Sequence, residues 1–307
     1  MTRIYAITLN TFREAVRDRV LYGVLGLACA VLFFTLAIAE LSLHEQMRVV
    51  SDVGLASISL FSVVIAVFLG SSLLYKEIER KTLYVILPKP IRRSEFLLGK
   101  YFGIALTAVV FIALMGALQL WLAALQAGAA APLALGVLLA LALLLGLGLW
   151  LSPDRTAVLV PFAMVALGAA CLLGGHVGIE LEPTLAQLTL SAVEVMVLAA
   201  VALLFSSFST PFLTGMFTLG IWLLGRSADD MATIKSKQLG ALLRKVLHVA
   251  AELLPNLQLY VPGRTLLAGQ SKVELWPYVA TSAGYGLLYA ALLLSFAALI
   301  FQRRDFL

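Results

Sequence analysis

Charge is what this sequence has least of. Of its 307 residues, 13% are Asp, Glu, Lys or Arg, and 62% are hydrophobic. A soluble domain carries about 25% charge and about 45–50% apolar residues, so a soluble enzyme is excluded at the outset. The scarcity is also patterned. No acidic or basic side chain occurs between Lys100 and Asp154, Arg155 and Glu180, Glu194 and Arg226, or Glu274 and Arg303. A bilayer core of about 30 Å takes about 20 helical residues to cross, and the first gap alone holds two crossings. Cysteine is nearly missing too. Cys29 and Cys171 both fall in apolar stretches, which excludes a disulfide framework or a CxxC metal site. Histidine occurs three times, scattered. The fold class read from these features is all-α, a polytopic membrane helical bundle. The net charge of +5 is then a matter of loops and topology, with no nucleic-acid partner.

Residues 1–40 imitate a secretory signal, with a basic start, an apolar run and Ala37-Ile38-Ala39 as a cleavage-like site. The run Val20–Ala39 exceeds the usual length of about 7–15 residues, so it is read as an uncleaved first span. Before it, residues 2–19 place Ile4, Ile7, Phe12, Val16 and Val20 near one helical face. Arg3, Arg13, Arg17 and Arg19 lie mostly elsewhere, the pattern of an interfacial amphipathic helix. A basic juxtamembrane extension is the plainer alternative. Eight spans are expected, at 20–40, 53–75, 97–125, 132–151, 156–175, 185–206, 210–226 and 277–301.

The basic residues orient this count. Four arginines at the N-terminus, seven Lys or Arg in 76–100, Arg155, and Arg303 with Arg304 all fall on one side. The opposite loops 41–52, 126–131 and 176–184 hold only Arg48. Both termini are therefore expected to be cytoplasmic. Residues 227–276 are the exception. They carry Lys235, Lys237, Arg244, Lys245, Arg264 and Lys272 yet fall outside, as a long extracytoplasmic loop whose stretch 238–248 is amphipathic. If the short segment 210–226 were a re-entrant hairpin, that loop would lie inside.

The cytoplasmic loop 76–96, continuing into Gly99-Lys100, has an internal plan. Charges (Glu77, Glu79, Arg80, Lys81) precede a short apolar turn from Thr82 to Leu87, with Leu83, Ile86 and Leu87 on one side. Pro88 and Pro90 then stop and redirect the chain, Arg92 and Arg93 follow, and Ser94 is read as the N-cap of the next helix. A short rigid helix between two long spans suits the transmission of force from a cytoplasmic partner. A solvated basic loop that only sets topology fits the spacing equally well.

The pattern Glu77-x-Glu79-Arg80-x-Thr82-Leu83, Pro88-x-Pro90-Ile91-x-Arg93, Glu95 and Leu98-Gly99-Lys100 resembles the coupling-helix region of ABC transporter type-2 permeases. The branch it is most similar to includes the nitrous-oxide-reductase maturation and gliding-motility permeases. Asn10-Thr11-Phe12-Arg13-Glu14-Ala15-x-Arg17-Asp18 is similar to that branch's interfacial helix, and Leu203–Ser209 with Pro211 to a turn between core spans. Leu254-Pro255-Asn256-Leu257 and Phe301-x-Arg303-Arg304-Asp305 resemble its outer loop and its end. The family core has six spans, so the pair within 132–175 reads as an insertion.

The resemblance implies a permease subunit of an ATP-driven exporter in a bacterial or archaeal cytoplasmic membrane. It implies two copies of a separate ABC ATPase, and a second permease copy or paralogue, all in membrane lipid. The helix 82–87 would dock in a cleft of the ATPase, flanked by Glu77, Glu79, Arg80 and Lys81. No GxxxxGK[ST] occurs in this chain, because Gly99-Lys100 precedes Tyr101 and lacks the upstream glycine. The chain is thus not itself an enzyme; it holds no cofactor, and ATP and Mg would be bound by the partner.

Glu194 is the one acidic residue well inside a span, where a carboxylate costs about 2.5–3.5 kcal/mol on insertion scales. It is read either as a pathway or interface residue, or as a structural hydrogen-bond partner for Gln119 or a serine on another span. Trp121, Trp150, Trp222 and Trp276 read as interfacial anchors. Gly99-x-x-x-Gly103 and Gly174-x-x-x-Gly178 read as close helix approaches. Other classes fit less well. A subunit that passes ATP-driven motion to an extracytoplasmic partner would use the same loop. A secondary transporter would show midplane charges in matching halves, and an intramembrane enzyme a cluster of reactive side chains.

Overall fold

The computed structural model describes residues 2–42, 45–79, 92–233, 249, 252, 254–263, 266 and 274–303. Every regular element among them is helical. In chain order these are α1 (Thr2–Val16), α2 (Arg19–Glu40), α3 (Gln46–Glu79), α4 (Arg93–Gln126), α5 (Ala131–Leu151), α6 (Leu159–His176), α7 (Leu181–Ser206), α8 (Pro211–Arg226), α9 (Ala228–Thr233), a 3-10 turn (Leu257–Tyr260) and α10 (Leu275–Arg303). Seven of them, α2 to α7 and α10, are long and apolar enough to cross a membrane, so the chain is a multi-pass helical membrane protein. The expected eighth span is α8. Its 16 residues extend only about 24 Å, short of the about 30 Å hydrocarbon core.

Two compact units divide the chain: Met1–Ile65 with Phe102–Ala192, and Ala66–Tyr101 with Val193–Leu307. In the first, α1 buries Thr11, Phe12, Ala15 and Val16. Phe12 and Val16 pack with Val110 and Ala113 of α4 and Ala163 of α6. Thr11 fills the space over Gly103, where a Cβ would lie 2.4 Å from the threonine Cβ. The glycine of the first GxxxG thus admits the N-terminal helix. Val20, expected on the same face as Phe12, belongs instead to the next helix and is exposed. The break comes from Asp18, whose Oδ1 accepts from the Val20 amide at 3.0 Å and caps α2.

The pair α5–α6 leans on α4. Ala134 of α5 and Leu173 of α6 share a cluster with Ala124, while Ala166 and Ala170 pack on Ala117 and Leu120. Trp121 is partly buried, its indole donating to the Ala134 carbonyl at 3.1 Å. Gly178 has φ 81° and closes the turn after α6, a conformation that favours glycine, so it serves a turn where a helix contact was expected. Gln119 is buried by Gly54, where a Cβ would sit 2.0 Å from Oε1, and its amide donates to the Val50 carbonyl at 2.8 Å.

In the second unit, Gly70 of α3 meets Ala202 of α7, 2.4 Å from a Cβ built on the glycine. The α7–α8 connection is a tight turn. Ser207 Oγ donates to the Leu204 carbonyl at 2.6 Å, Ser209 and Thr214 hydroxyls lie 2.8 Å apart, and Pro211 opens α8. Phe205 packs against Phe208 and Phe217 at ring distances of 5.7 and 5.2 Å.

Candidate functional site

Hairpin arithmetic sets up a buried ion pair in the second unit. Glu194 lies twelve residues before the end of α7, and Arg226 fifteen after the start of α8. Two antiparallel helices joined by a four-residue turn bring those positions to nearly the same depth. Glu194 is fully buried, and its carboxylate is held from two sides. Arg226 Nε donates to Oε1 at 3.0 Å and Nη2 to Oε2 at 2.9 Å, a bidentate pair. Trp222, one turn earlier on α8, donates its indole N–H to Oε1 at 3.0 Å. The guanidinium carbon sits 5.6 Å from the Trp222 ring centre, so the ring shields the cation as well. The pathway-or-interface reading of Glu194 therefore meets a carboxylate with three donors on it. The hydrogen-bond reading is met by Arg226 and Trp222, while Gln119 is committed to Val50.

Around this clasp the chain folds back on itself. Gly225 lies under Pro255 and Leu257: a Cβ there would be 2.6 Å from the Pro255 carbonyl oxygen. Tyr260, at the end of the 3-10 turn, is fully buried and reaches Gly286 of α10. A Cβ at Gly286 would lie 2.2 Å from Tyr260 Oη and 2.7 Å from Val193 Cγ1. Asn256 Nδ2 donates to Asp229 at 2.7 Å, and Tyr278 Oη to the Leu259 carbonyl at 2.7 Å. Pro255, Leu257 and Tyr260 are buried in this segment, while Gln258 is exposed.

The expected coupling residues fall largely beyond view. Arg80, Lys81, Thr82, Leu83, Ile86, Leu87, Pro88 and Pro90 lie outside the described residues, and Glu77 and Glu79 fall on the last turn of α3. Arg93 is described. It begins α4 and donates from Nη1 to the Phe301 carbonyl at 3.1 Å, in the last turn of α10. Phe96 stacks on Phe301 at 6.3 Å with 11° between planes, and Lys100, only 1% exposed, places its ammonium 6.0 Å from the Phe96 ring centre. Ser94 does not cap α4. Glu95 does the work from inside the first turn, its Oε2 accepting from the Arg92 amide at 3.3 Å, which is the backward half of a capping box.

Sequence reasoning missed Arg226 and Trp222 as partners of Glu194. Arg226 read as a span-end charge and Trp222 as an anchor, yet their i, i+4 spacing places both on one face of α8. No family model and no curated protein matches the chain.

Proposed function

We propose that this chain is the permease subunit of an ATP-driven transporter of the ABC type-2 kind, an exporter in the cytoplasmic membrane of a bacterium or archaeon. ATP hydrolysis would come from two copies of a separate ATPase, and a second permease copy or paralogue would complete the complex. The observation that carries this reading is the setting of the loop that resembles a coupling helix. It joins α3 and α4, both 34 residues long. Each extends about 51 Å, well beyond the about 30 Å apolar core, and such rigid arms suit a loop that is pushed from the cytoplasm. The base of one arm is fastened to α10 through Arg93, Phe96 and Phe301. A push on the loop would thus be passed to the last helix.

The topology that goes with this proposal has eight crossings and both termini cytoplasmic, with α1 at the interface. The shortness of α8 fits a lowered outer end, since Arg226 meets its counter-charge at Glu194 and needs no water there. We assign Glu194 a structural duty, clasping α8 to α7. A secondary transporter would require a mid-membrane charge able to change partners, and the pairing of Glu194 with Arg226 speaks against that use.

The test is co-purification of the tagged full-length chain from native membranes, followed by Leu83→Asp. The expected result is an associated ATPase with a Walker motif, and loss of coupling between hydrolysis and transport in the variant while the helical content stays unchanged. A purified complex without such an ATPase, or wild-type coupling in Leu83→Asp, overturns the reading.

A further inference from the structure

Gln119 of α4 grips α3 at a single peptide pair. Its Nε2 donates to the Val50 carbonyl at 2.8 Å. A carbonyl can only accept, so this contact fixes which end of the carboxamide faces Val50. Within α3 the same carbonyl is the helical acceptor of the Gly54 amide, four residues on. The other end of the carboxamide, Oε1, sits over Gly54, 2.0 Å from where a Cβ would stand. It is buried and meets no donor among the described residues. Gln119 is 2% exposed, and Val50 packs with Ala39 and Ala123, so the junction is closed to solvent and its neighbours are apolar.

Two arrangements of this junction satisfy different groups. With the Gly54–Val50 bond intact, the Val50 carbonyl has two donors and Gln119 Oε1 has none. If α3 bends at Gly54, the carbonyl keeps the Gln119 donor, and the freed Gly54 N–H lies beside Oε1, which can accept it. One hydrogen bond is exchanged for another, and no backbone group is stranded. Elsewhere in a buried helix, breaking such a bond strands both its donor and its acceptor, which is why helices seldom open. Glycines and side chains inserted at the hydrogen-bond ladder are usual causes of helix bends, and both act here on one residue pair.

The start of α3 is clamped on the other side of the bend. Gln46 Oε1 accepts from Gln126 Nε2 of α4 at 2.7 Å, and Val50 is held between α2 and α4. What can swing is the shaft of α3 beyond Gly54. We propose that Val50, Gly54 and Gln119 form a two-state pivot in α3, at which the Gly54 amide passes between the Val50 carbonyl and Gln119 Oε1. The pivot asks nothing of an ATPase or a substrate, so it stands or falls apart from the transport reading.

Nitrogen-15 relaxation dispersion on the full-length chain in micelles tests this, since it reads microsecond-to-millisecond exchange with minor states of about 0.1–10%. The Gly54 amide and the Gln119 side-chain amide should share one exchange rate, while residues 58–65 stay flat. Gln119→Leu keeps an apolar filling of similar size but neither donates nor accepts, so dispersion at Gly54 should be lost. Gly54→Ala should abolish it at the Gln119 side chain, because the new Cβ pushes the carboxamide off α3. The two variants alter opposite partners, so either one that elutes monodisperse with unchanged helicity decides the matter. A flat wild-type profile at Gly54, or exchange that persists in a folded variant, overturns the pivot. Exchange spread evenly over residues 46–54 reports fraying of the start of α3 and overturns it as well.

Discussion

Arg226 and Glu194 face each other through two parallel N–H···O contacts, 3.0 Å from Nε and 2.9 Å from Nη2, between neighbouring antiparallel helices. Such a pair stabilises only as a pair: removing one partner strands the other charge, at about 3–5 kcal/mol for buried cases. Arg226 is 24% exposed, which places the expected cost at about 3 kcal/mol. Glu194→Gln should therefore destabilise strongly, and Arg226→Lys nearly as much, because an ammonium cannot reproduce the fork. The double variant Glu194→Gln, Arg226→Gln should cost clearly less than the two single losses added together. Unfolding in mixed micelles measures all four; strictly additive losses would remove the clasp from the account.

The relation of those two residues also marks where the sequence stops being legible. Long charge-free runs announced eight spans, of which seven coincide with long apolar helices. The helix expected from 53 starts at Gln46, because hydrocarbon thickness sets a minimum length only. Glu194 stood out as a charge where none is cheap. Its partner did not, since Arg226 closes an apolar run and looks like every other flanking arginine. Helix interruptions were legible only where chemistry was local. Pro211 signalled the start of α8, but Glu95 capping α4 in place of Ser94 depended on a two-residue choice of start. Folding back of 254–260 onto Gly225 and Gly286 had no sequence signal at all, because contact between distant small residues leaves no period.

Gly286 gives a second prediction. Tyr260 Oη occupies the place of its missing Cβ, and Val193 crowds from another side. Gly286→Ala should push the tyrosine out and destabilise by about 1–3 kcal/mol, the usual cost of overpacking. Tyr260→Phe removes the nearest atom and leaves the ring carbon Cζ at 3.2 Å, so it should restore about half of the loss in the double variant. Thermal unfolding of the four proteins decides it. No rescue by Tyr260→Phe would mean that Val193 alone sets the tightness.

Asp154 carries the pH dependence of the α1 anchorage. The Thr156 hydroxyl, 2.9 Å away, and then the Arg13 guanidinium hold its carboxyl below the ordinary aspartate value of 3.8, although partial desolvation acts the other way. A folded-state pKa below the unfolded one means stabilisation that is complete above the unfolded value and vanishes as pH falls through the folded value. The Arg13–Asp154 tie should be fully present at neutral pH and weaken only in strong acid. Asp154→Asn should loosen α1 already at pH 7, read as faster amide exchange over residues 10–16. Exchange in the variant that matches the wild type at pH 7 would show that Phe12 and Val16 hold α1 unaided.

Arg93 offers the sharpest link between local structure and the proposed coupling. The last four carbonyls of a helix lack intrahelical donors, and Phe301 is in the last turn of α10. A guanidinium there satisfies a carbonyl and complements the negative end of the helix dipole, together worth about 1–3 kcal/mol. Arg93→Ala should fray that end, raising amide exchange over residues 299–303 while α4 remains protected through Phe96. Phe301→Ala should do the same by removing the stack. If the loop drives α10 through this contact, both variants should also lower transport per ATP hydrolysed without changing how much ATPase co-purifies. Frayed α10 with normal coupling would separate the structural tie from force transmission and leave the loop acting through α3 alone.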